Sequence, residues 1–81
     1  SALEVEAAAL RVAGVEEASL LRPTETRPAT LFFLGAAAEA GVRAALRQRL
    51  EDYKIPPRIL RLEAMPYSSS GKIDKIALGA G

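Results

Sequence analysis

Residues 68–72, Ser-Ser-Ser-Gly-Lys, are the one segment in which small, polar residues converge on a single cation. A lysine on a flexible loop can follow negative charge as it develops on a carboxylate or phosphate oxygen. The segment is not a phosphate-binding G-x-x-x-x-G-K-[ST] loop, because Pro66 and Ile73 stand where Gly and Ser or Thr are needed. It also matches S-x-x-K only formally, since Gly71 breaks the helix on which that acyl-serine motif sits. Two interpretations stay open: a surface turn with a solvated lysine, or a loop in which Gly71 projects Lys72 into a site built by other residues.

The composition excludes several kinds of chemistry. The 81 residues contain no Cys, His or Trp. The chain therefore cannot assemble a Ser-His or Cys-His nucleophile, nor a zinc site of imidazole or thiolate ligands. Only an all-carboxylate metal site would be left, and we predict no metal-ligating residues. The net charge of +1 argues against a dedicated nucleic-acid-binding module, in which neutralisation of phosphates supplies most of the affinity.

The hydropathy pattern contains no segment that would cross a membrane. The longest uncharged stretch, residues 28–38, is shorter than the roughly 20 apolar residues that a spanning helix needs. The chain opens with Ser1 and two early glutamates instead of a basic segment followed by an apolar one, so we predict no signal peptide. We expect a cytoplasmic location.

The spacing of apolar residues predicts the elements that must position the lysine loop. Leu3, Ala7 and Leu10 recur at helical spacing, and Val5, Ala9 and Val12 widen this apolar stripe. Ser1 is the expected N-cap, and Gly14 closes the end of the helix at positive φ. Strands are predicted over residues 15–21, 30–34 and 58–62, and a second helix over residues 37–53. Asp74 caps a last short helix. The expected fold is α+β: a small three-stranded sheet packed with helices, then the Gly-Lys loop and the short C-terminal helix.

Consecutive apolar residues in the first two strands predict burial on both faces of the sheet. Phe32 and Phe33 are adjacent, so their rings face opposite sides and cannot form the aromatic stacking platform of an RNA-binding sheet. Tyr53 is expected to pack in the core or at the end of the second helix.

Two blocks of sequence resemble a known family. Residues 50–56, L-E-D-Y-K-I-P, and residues 67–78, Y-S-S-S-G-K-I-D-K-I-A-L, are similar to the last two conserved blocks of the adenylate-forming enzymes. These are the acyl-CoA synthetases, the adenylation domains of nonribosomal peptide synthetases, and the luciferases. Residues 3–8 and 13–18 also resemble the helix and strand that follow the hinge in that family. The resemblance implies that residues 1–81 are a single mobile C-terminal subdomain, without the hinge and the large N-terminal body.

The resemblance also implies a site. Lys72 would be the catalytic lysine of the first half-reaction, in which a carboxylate attacks the α-phosphate of ATP to give an acyl-adenylate and pyrophosphate. Around it would lie the active-site loop residues Ser69, Ser70, Gly71, Asp74 and Lys75. Without the body, the isolated chain should be inactive.

The resemblance further implies cofactors and partners. The N-terminal body of the same enzyme would bind most of ATP and Mg²⁺. The acceptor thiol would belong to CoA or to the phosphopantetheine of an acyl carrier protein, and the two blocks leave that choice open.

The alternative function is a non-catalytic α+β module for binding or dimerisation, which would use the exposed strand edge that a small sheet usually has. It predicts a concentration-dependent dimer or a ligand site that does not need Lys72. The charge is uneven in a way that either function could use, since residues 1–21 are net acidic and the remainder is net basic.

Overall fold

The computed structural model describes residues 1–80 as a three-stranded mixed sheet with helices on both faces. The elements are α1 (Ala2–Leu10), β1 (Glu17–Leu21), β2 (Thr30–Leu34), α2 (Glu39–Arg47), a 3-10 helix (Asp52–Lys54), β3 (Arg58–Arg61) and α3 (Lys75–Ala80). The strand order is β1-β2-β3, with β1 antiparallel and β3 parallel to the central β2. The predicted α+β class and the three-stranded sheet are confirmed.

The sheet separates two apolar clusters, as the consecutive apolar residues predict. Phe33 is fully buried in the first cluster, which α1 and α2 cover, and the neighbouring Phe32 lies in the second. The second cluster also holds Met65 and Leu78, so the segment that ends in α3 packs on the opposite face from α1 and α2. The lysine loop therefore belongs to the layer on the second face.

The buried face of α1 matches only part of the predicted apolar stripe. Leu3 and Leu10 are 78% and 50% exposed, whereas Val5, Ala8 and Ala9 are buried against the sheet. The helix is rich in alanine around its whole circumference, so apolar spacing alone does not select the side that packs. Ser1 is confirmed as the N-cap, because its side-chain oxygen accepts a hydrogen bond from the Glu4 backbone N–H.

The second helix is shorter than predicted, ending at Arg47, and residues 52–54 form a separate 3-10 turn. The backbone of Glu51 is extended between these two elements. The ammonium of Lys54 lies 3.1 Å from the Glu4 carboxylate of α1 and 3.0 Å from that of Glu51, which holds the turn against α1 instead of in line with α2. The predicted packing of Tyr53 is wrong as a result, since its side chain is 79% exposed.

Two glycines with positive φ bring neighbouring loops into close contact. Gly14 ends the α1 region at φ 88°, as predicted, and Gly35 follows β2 at φ 135°. The Ala37 N–H donates to the Gly14 carbonyl oxygen at 3.0 Å, and the Glu16 N–H donates to that of Leu34 at 2.8 Å. These contacts join the loop before β1 to the loop before α2.

Side chains bond to outward-facing backbone groups of one residue at each edge of the sheet. At the β1 edge, the Leu20 N–H donates to the Glu6 carboxylate at 2.7 Å, and the Leu20 carbonyl accepts from the Lys75 ammonium at 3.4 Å. At the β3 edge, the Arg61 N–H donates to the Glu39 carboxylate at 2.9 Å. The expectation of an exposed edge, on which the dimerisation alternative depended, is wrong at these positions.

Within residues 1–80, no helix combines the length and the apolar character required to cross a membrane.

Candidate functional site

The loop that carries Lys72 forms a hairpin that backbone hydrogen bonds close. Tyr67 and Ile73 form an antiparallel bridge, and the Ser68 N–H donates to the Lys72 carbonyl at 2.8 Å. The turn is closed by the Gly71 N–H, which donates to the Ser68 carbonyl at 2.9 Å. Gly71 has φ 84°, a conformation that other residues rarely adopt, so its presence lets the chain reverse immediately before Lys72.

Among the lysines in the described part of the chain, Lys72 is the one whose ammonium has no ion-pair partner. Lys54 pairs with Glu4 and Glu51, and Lys75 pairs with Glu6 at 3.4 Å. The exposed side chain of Lys72 has no hydrogen bond or ion pair with any of residues 1–80. A cation fixed at its backbone and free at its ammonium suits a role toward a group outside the domain.

The two serines of the predicted active-site loop lie at the exposed tip of the hairpin. Ser69 occupies the turn itself, and the Ser70 hydroxyl lies 2.9 Å from the Ser68 hydroxyl. This contact between hydroxyls adds to the backbone bonds that close the turn.

Asp74 and Lys75 lie at the base of the hairpin, where their side chains stabilise the fold. The Asp74 carboxylate accepts from the Ala77 N–H at 3.0 Å and caps α3, as predicted, while its own N–H donates to the Pro66 carbonyl at 2.9 Å. Lys75 reaches across to α1 and β1 through its bonds to Glu6 and Leu20. The structure thus brings together residues 69–72 at the tip and directs Asp74 and Lys75 to other partners.

Tyr67 and Glu17 form a contact at the hairpin base that sequence reasoning missed. The Tyr67 hydroxyl donates a hydrogen bond to the Glu17 carboxylate at the start of β1. The pKa of the Tyr67 hydroxyl is raised, chiefly by this hydrogen bond. The two residues are 50 positions apart, so no local pattern could have paired them.

An apolar groove of about 390 Å³ lies between the second sheet face and α3, with Arg27 and Arg58 among its lining residues. Phe32, Leu60 and Leu78 form part of its wall, and Lys72 does not line it. Within residues 1–80, no group of acidic side chains is arranged to hold a metal ion.

Comparisons with known proteins give relatives over almost the whole chain. It is 38% identical to the isonitrile lipopeptide synthase of Mycobacterium tuberculosis and 34% identical to one of the plipastatin synthase proteins of Bacillus subtilis, over 95% and 93% of its length. It spans only 3% of the length of each of these relatives. No protein-family model matches the chain.

Solved structures show the same fold. A fatty acyl CoA synthetase of Mycobacterium tuberculosis matches 93% of this chain with a TM-score of 0.81 and 28% identity. The match covers 16% of that enzyme. A benzoate CoA ligase from Burkholderia xenovorans has the same fold at a TM-score of 0.80, with 23% identity.

Proposed function

We propose that the chain, which is similar to adenylate-forming enzymes over almost its whole length, is a C-terminal subdomain of that superfamily and supplies Lys72 to an ATP-dependent, carboxylate-activating ligase. The observation that carries the proposal is the state of Lys72: its backbone is held by a closed hairpin, and its ammonium is free of every partner in residues 1–80. The rest of the site, including the pocket for the acid, would lie in a larger N-terminal body of the same enzyme.

The reaction proposed for Lys72 is formation of the acyl-adenylate. A carboxylate oxygen forms a bond to the α-phosphorus of ATP, the bond from that phosphorus to the bridging oxygen breaks, and pyrophosphate leaves. The Lys72 ammonium would orient the carboxylate and offset the negative charge that gathers around the phosphorus. A preorganised electrostatic contact of this kind contributes about 10² to 10³ in rate. Mg²⁺, held mainly by the N-terminal body, would neutralise charge on the phosphates.

The second half-reaction requires that Lys72 withdraw, so that a thiol can attack the acyl carbon and AMP can leave. We propose that the subdomain moves as one body, because the hairpin is bonded to the sheet and to α3 and has little freedom of its own. The acceptor thiol would belong to CoA or to a carrier-bound phosphopantetheine, since both peptide synthases and a fatty acyl CoA synthetase are similar to this chain. Both half-reactions would take place in the cytoplasm, where ATP is abundant.

The test is to separate the two half-reactions in the complete enzyme carrying Lys72→Ala. Pyrophosphate exchange, which reports adenylation, should fall by about 10² to 10³. Thiol transfer from a supplied acyl-adenylate should be largely spared, because the lysine has no part in that step. A mutant that exchanges pyrophosphate as fast as the wild type would refute the role of Lys72.

A further inference from the structure

Three residues of the segment that carries Lys72 make polar contacts with the rest of the domain, at different distances from the lysine. The Arg27 guanidinium donates to the Gly79 carbonyl at 3.3 Å, near the end of α3. Lys75 joins the start of α3 to Glu6. The third contact, between Tyr67 and Glu17, alone acts on the hairpin itself.

The base of the hairpin has an apolar side and a polar side. Ile73 is partly buried against the second apolar cluster and holds one strand of the hairpin. Tyr67, opposite it, is 50% exposed, and its hydroxyl makes a hydrogen-bonded connection to the sheet. Without that bond, the Tyr67 side of the hairpin could tilt about Ile73.

Glu17 is a firm anchor for this bond. It is the first residue of β1 and pairs in register with Leu34 of the central strand. No cation in residues 1–80 forms an ion pair with its carboxylate, so none competes with the Tyr67 hydroxyl. The next residue after Tyr67, Ser68, donates its N–H to the carbonyl of Lys72, which links the anchor to the lysine backbone through one residue.

We propose that Tyr67 and Glu17 are a positioning pair that sets the orientation of the Lys72 hairpin relative to the sheet. This proposal rests on the proposed role of Lys72 in adenylation. The pair does not touch the reacting atoms, and its effect is exerted through the placement of the lysine. A small displacement of such a group is costly, since misplacement by about 1 Å can lower a rate by 10²-fold.

The test uses the complete enzyme with Tyr67→Phe, which keeps the ring and removes the hydroxyl. The kcat of adenylation should fall about tenfold, the equivalent of one hydrogen bond, while the KM for ATP and for the acid stays within about twofold. Glu17→Ala should have the same effect, and Glu17→Gln, which retains an acceptor oxygen, a smaller one. Tyr53→Phe is the matched control, because the Tyr53 hydroxyl has no hydrogen-bond partner in residues 1–80 and its side chain is exposed.

Combined variants show whether the pair acts as a unit and through the lysine. The double variant Tyr67→Phe with Glu17→Ala should be no slower than either single variant, because both remove the same bond. Tyr67→Phe should cause no further loss of adenylation in a Lys72→Ala background. Thiol transfer from a supplied acyl-adenylate should stay at the wild-type rate in all of these variants. Wild-type kcat in Tyr67→Phe, or additive losses in the double variant, would overturn the proposal.

A measurement on the 81-residue chain is independent of catalysis. The N–H groups of Ser68 and Asp74 close the hairpin through bonds to the carbonyls of Lys72 and Pro66. Their hydrogen exchange should accelerate in Tyr67→Phe and stay unchanged in Tyr53→Phe. If Lys72→Ala leaves adenylation intact but exchange accelerates as expected, the role of Lys72 is wrong and the anchoring of the hairpin is right. Unchanged exchange in Tyr67→Phe would overturn the anchoring itself.

Discussion

Replacing Gly35 by alanine tests the contact between the loop before β1 and the loop before α2. Gly35 has φ 135°, and a Cβ there would overlap the carbonyl oxygen of Gly14 and lie 2.8 Å from its carbon. Neither atom belongs to a flexible side chain, so the two backbone segments would have to separate. Gly71→Ala is the matched control, because Gly71 also has positive φ but a Cβ added there would have no atom within 4 Å.

The cost can be worked out in two parts. A non-glycine residue at positive φ costs about 1 to 3 kcal/mol, and this strain is common to Gly35→Ala and Gly71→Ala. Separating the loops also breaks the bond from the Ala37 N–H to the Gly14 carbonyl and the bond from the Glu16 N–H to the Leu34 carbonyl. At about 1 kcal/mol each, these add about 2 kcal/mol for Gly35→Ala alone. A domain of this length has a total free energy of unfolding of about 4 to 12 kcal/mol, so the difference is easily measured.

The assay is urea unfolding of the chain followed by circular dichroism, together with thermal melting. Gly35→Ala should melt about 8 to 16 °C below Gly71→Ala, since 1 kcal/mol corresponds to about 4 to 8 °C in a domain of this size. Gly41→Ala should raise the melting temperature. Gly41 lies within α2 at ordinary φ, and a Cβ added there would have no atom within 4 Å. Alanine at this position favours the helix by about 0.5 to 1 kcal/mol. Equal unfolding midpoints for Gly35→Ala and Gly71→Ala would refute the reasoning from the close contact.

Two further predictions concern carboxylates. The hydrogen bond with Lys54 lowers the pKa of the Glu4 carboxyl, so the stability from this pair is present above the usual carboxyl pKa and is lost as the pH falls through the lowered value. Between pH 7 and pH 3, the melting temperature of Glu4→Gln should therefore fall less than that of the wild type. Glu25→Gln is the control, because the Glu25 carboxylate has no partner in residues 1–80, and its melting temperature should fall as much as that of the wild type. Equal falls for Glu4→Gln and the wild type would contradict this prediction. Removing the acceptor for the Arg61 N–H with Glu39→Ala should lower the free energy of unfolding by about 1 kcal/mol in urea titrations. The free energy of unfolding should fall less in Glu39→Gln, which keeps an acceptor oxygen, than in Glu39→Ala. Equal falls in the two variants would contradict a contribution from this hydrogen bond.

The strands were more predictable from the sequence than the helices. The predicted bounds of β2 match the structure, and the alternation of Phe32 and Phe33 between two clusters follows from the two-residue period of a strand. The face of α1 was only partly predictable: the predicted stripe included Val5, which is buried, but it centred on Leu3 and Leu10, which are exposed. The separate 3-10 turn after α2 is held by a contact between Lys54 and Glu4, which are 50 positions apart, so no local pattern predicted it.

In the candidate site, too, features set by neighbouring residues could be predicted, and contacts with residues far away in the sequence could not. The reversal at Gly71, the projection of Lys72 and the cap at Asp74 are local, and they could be predicted from residue type and spacing. The closure of the loop and its attachment to Glu17 could not, because the partner is supplied by another part of the chain. The ion pair between Lys75 and Glu6 could not be predicted for the same reason, although Lys75 is only three positions from Lys72.

The occupied backbone groups at the two outer strands restrict how this domain can meet a neighbour. An extended segment that docks by adding a strand needs a free row of N–H and carbonyl groups, and Leu20 and Arg61 already have partners. Strand addition at these positions would have to displace those side chains, whereas an interface formed between side chains can separate without breaking a ladder of main-chain bonds. In the enzyme proposed here, such an interface would let the domain present one surface for adenylation, release it, and turn another toward the thiol.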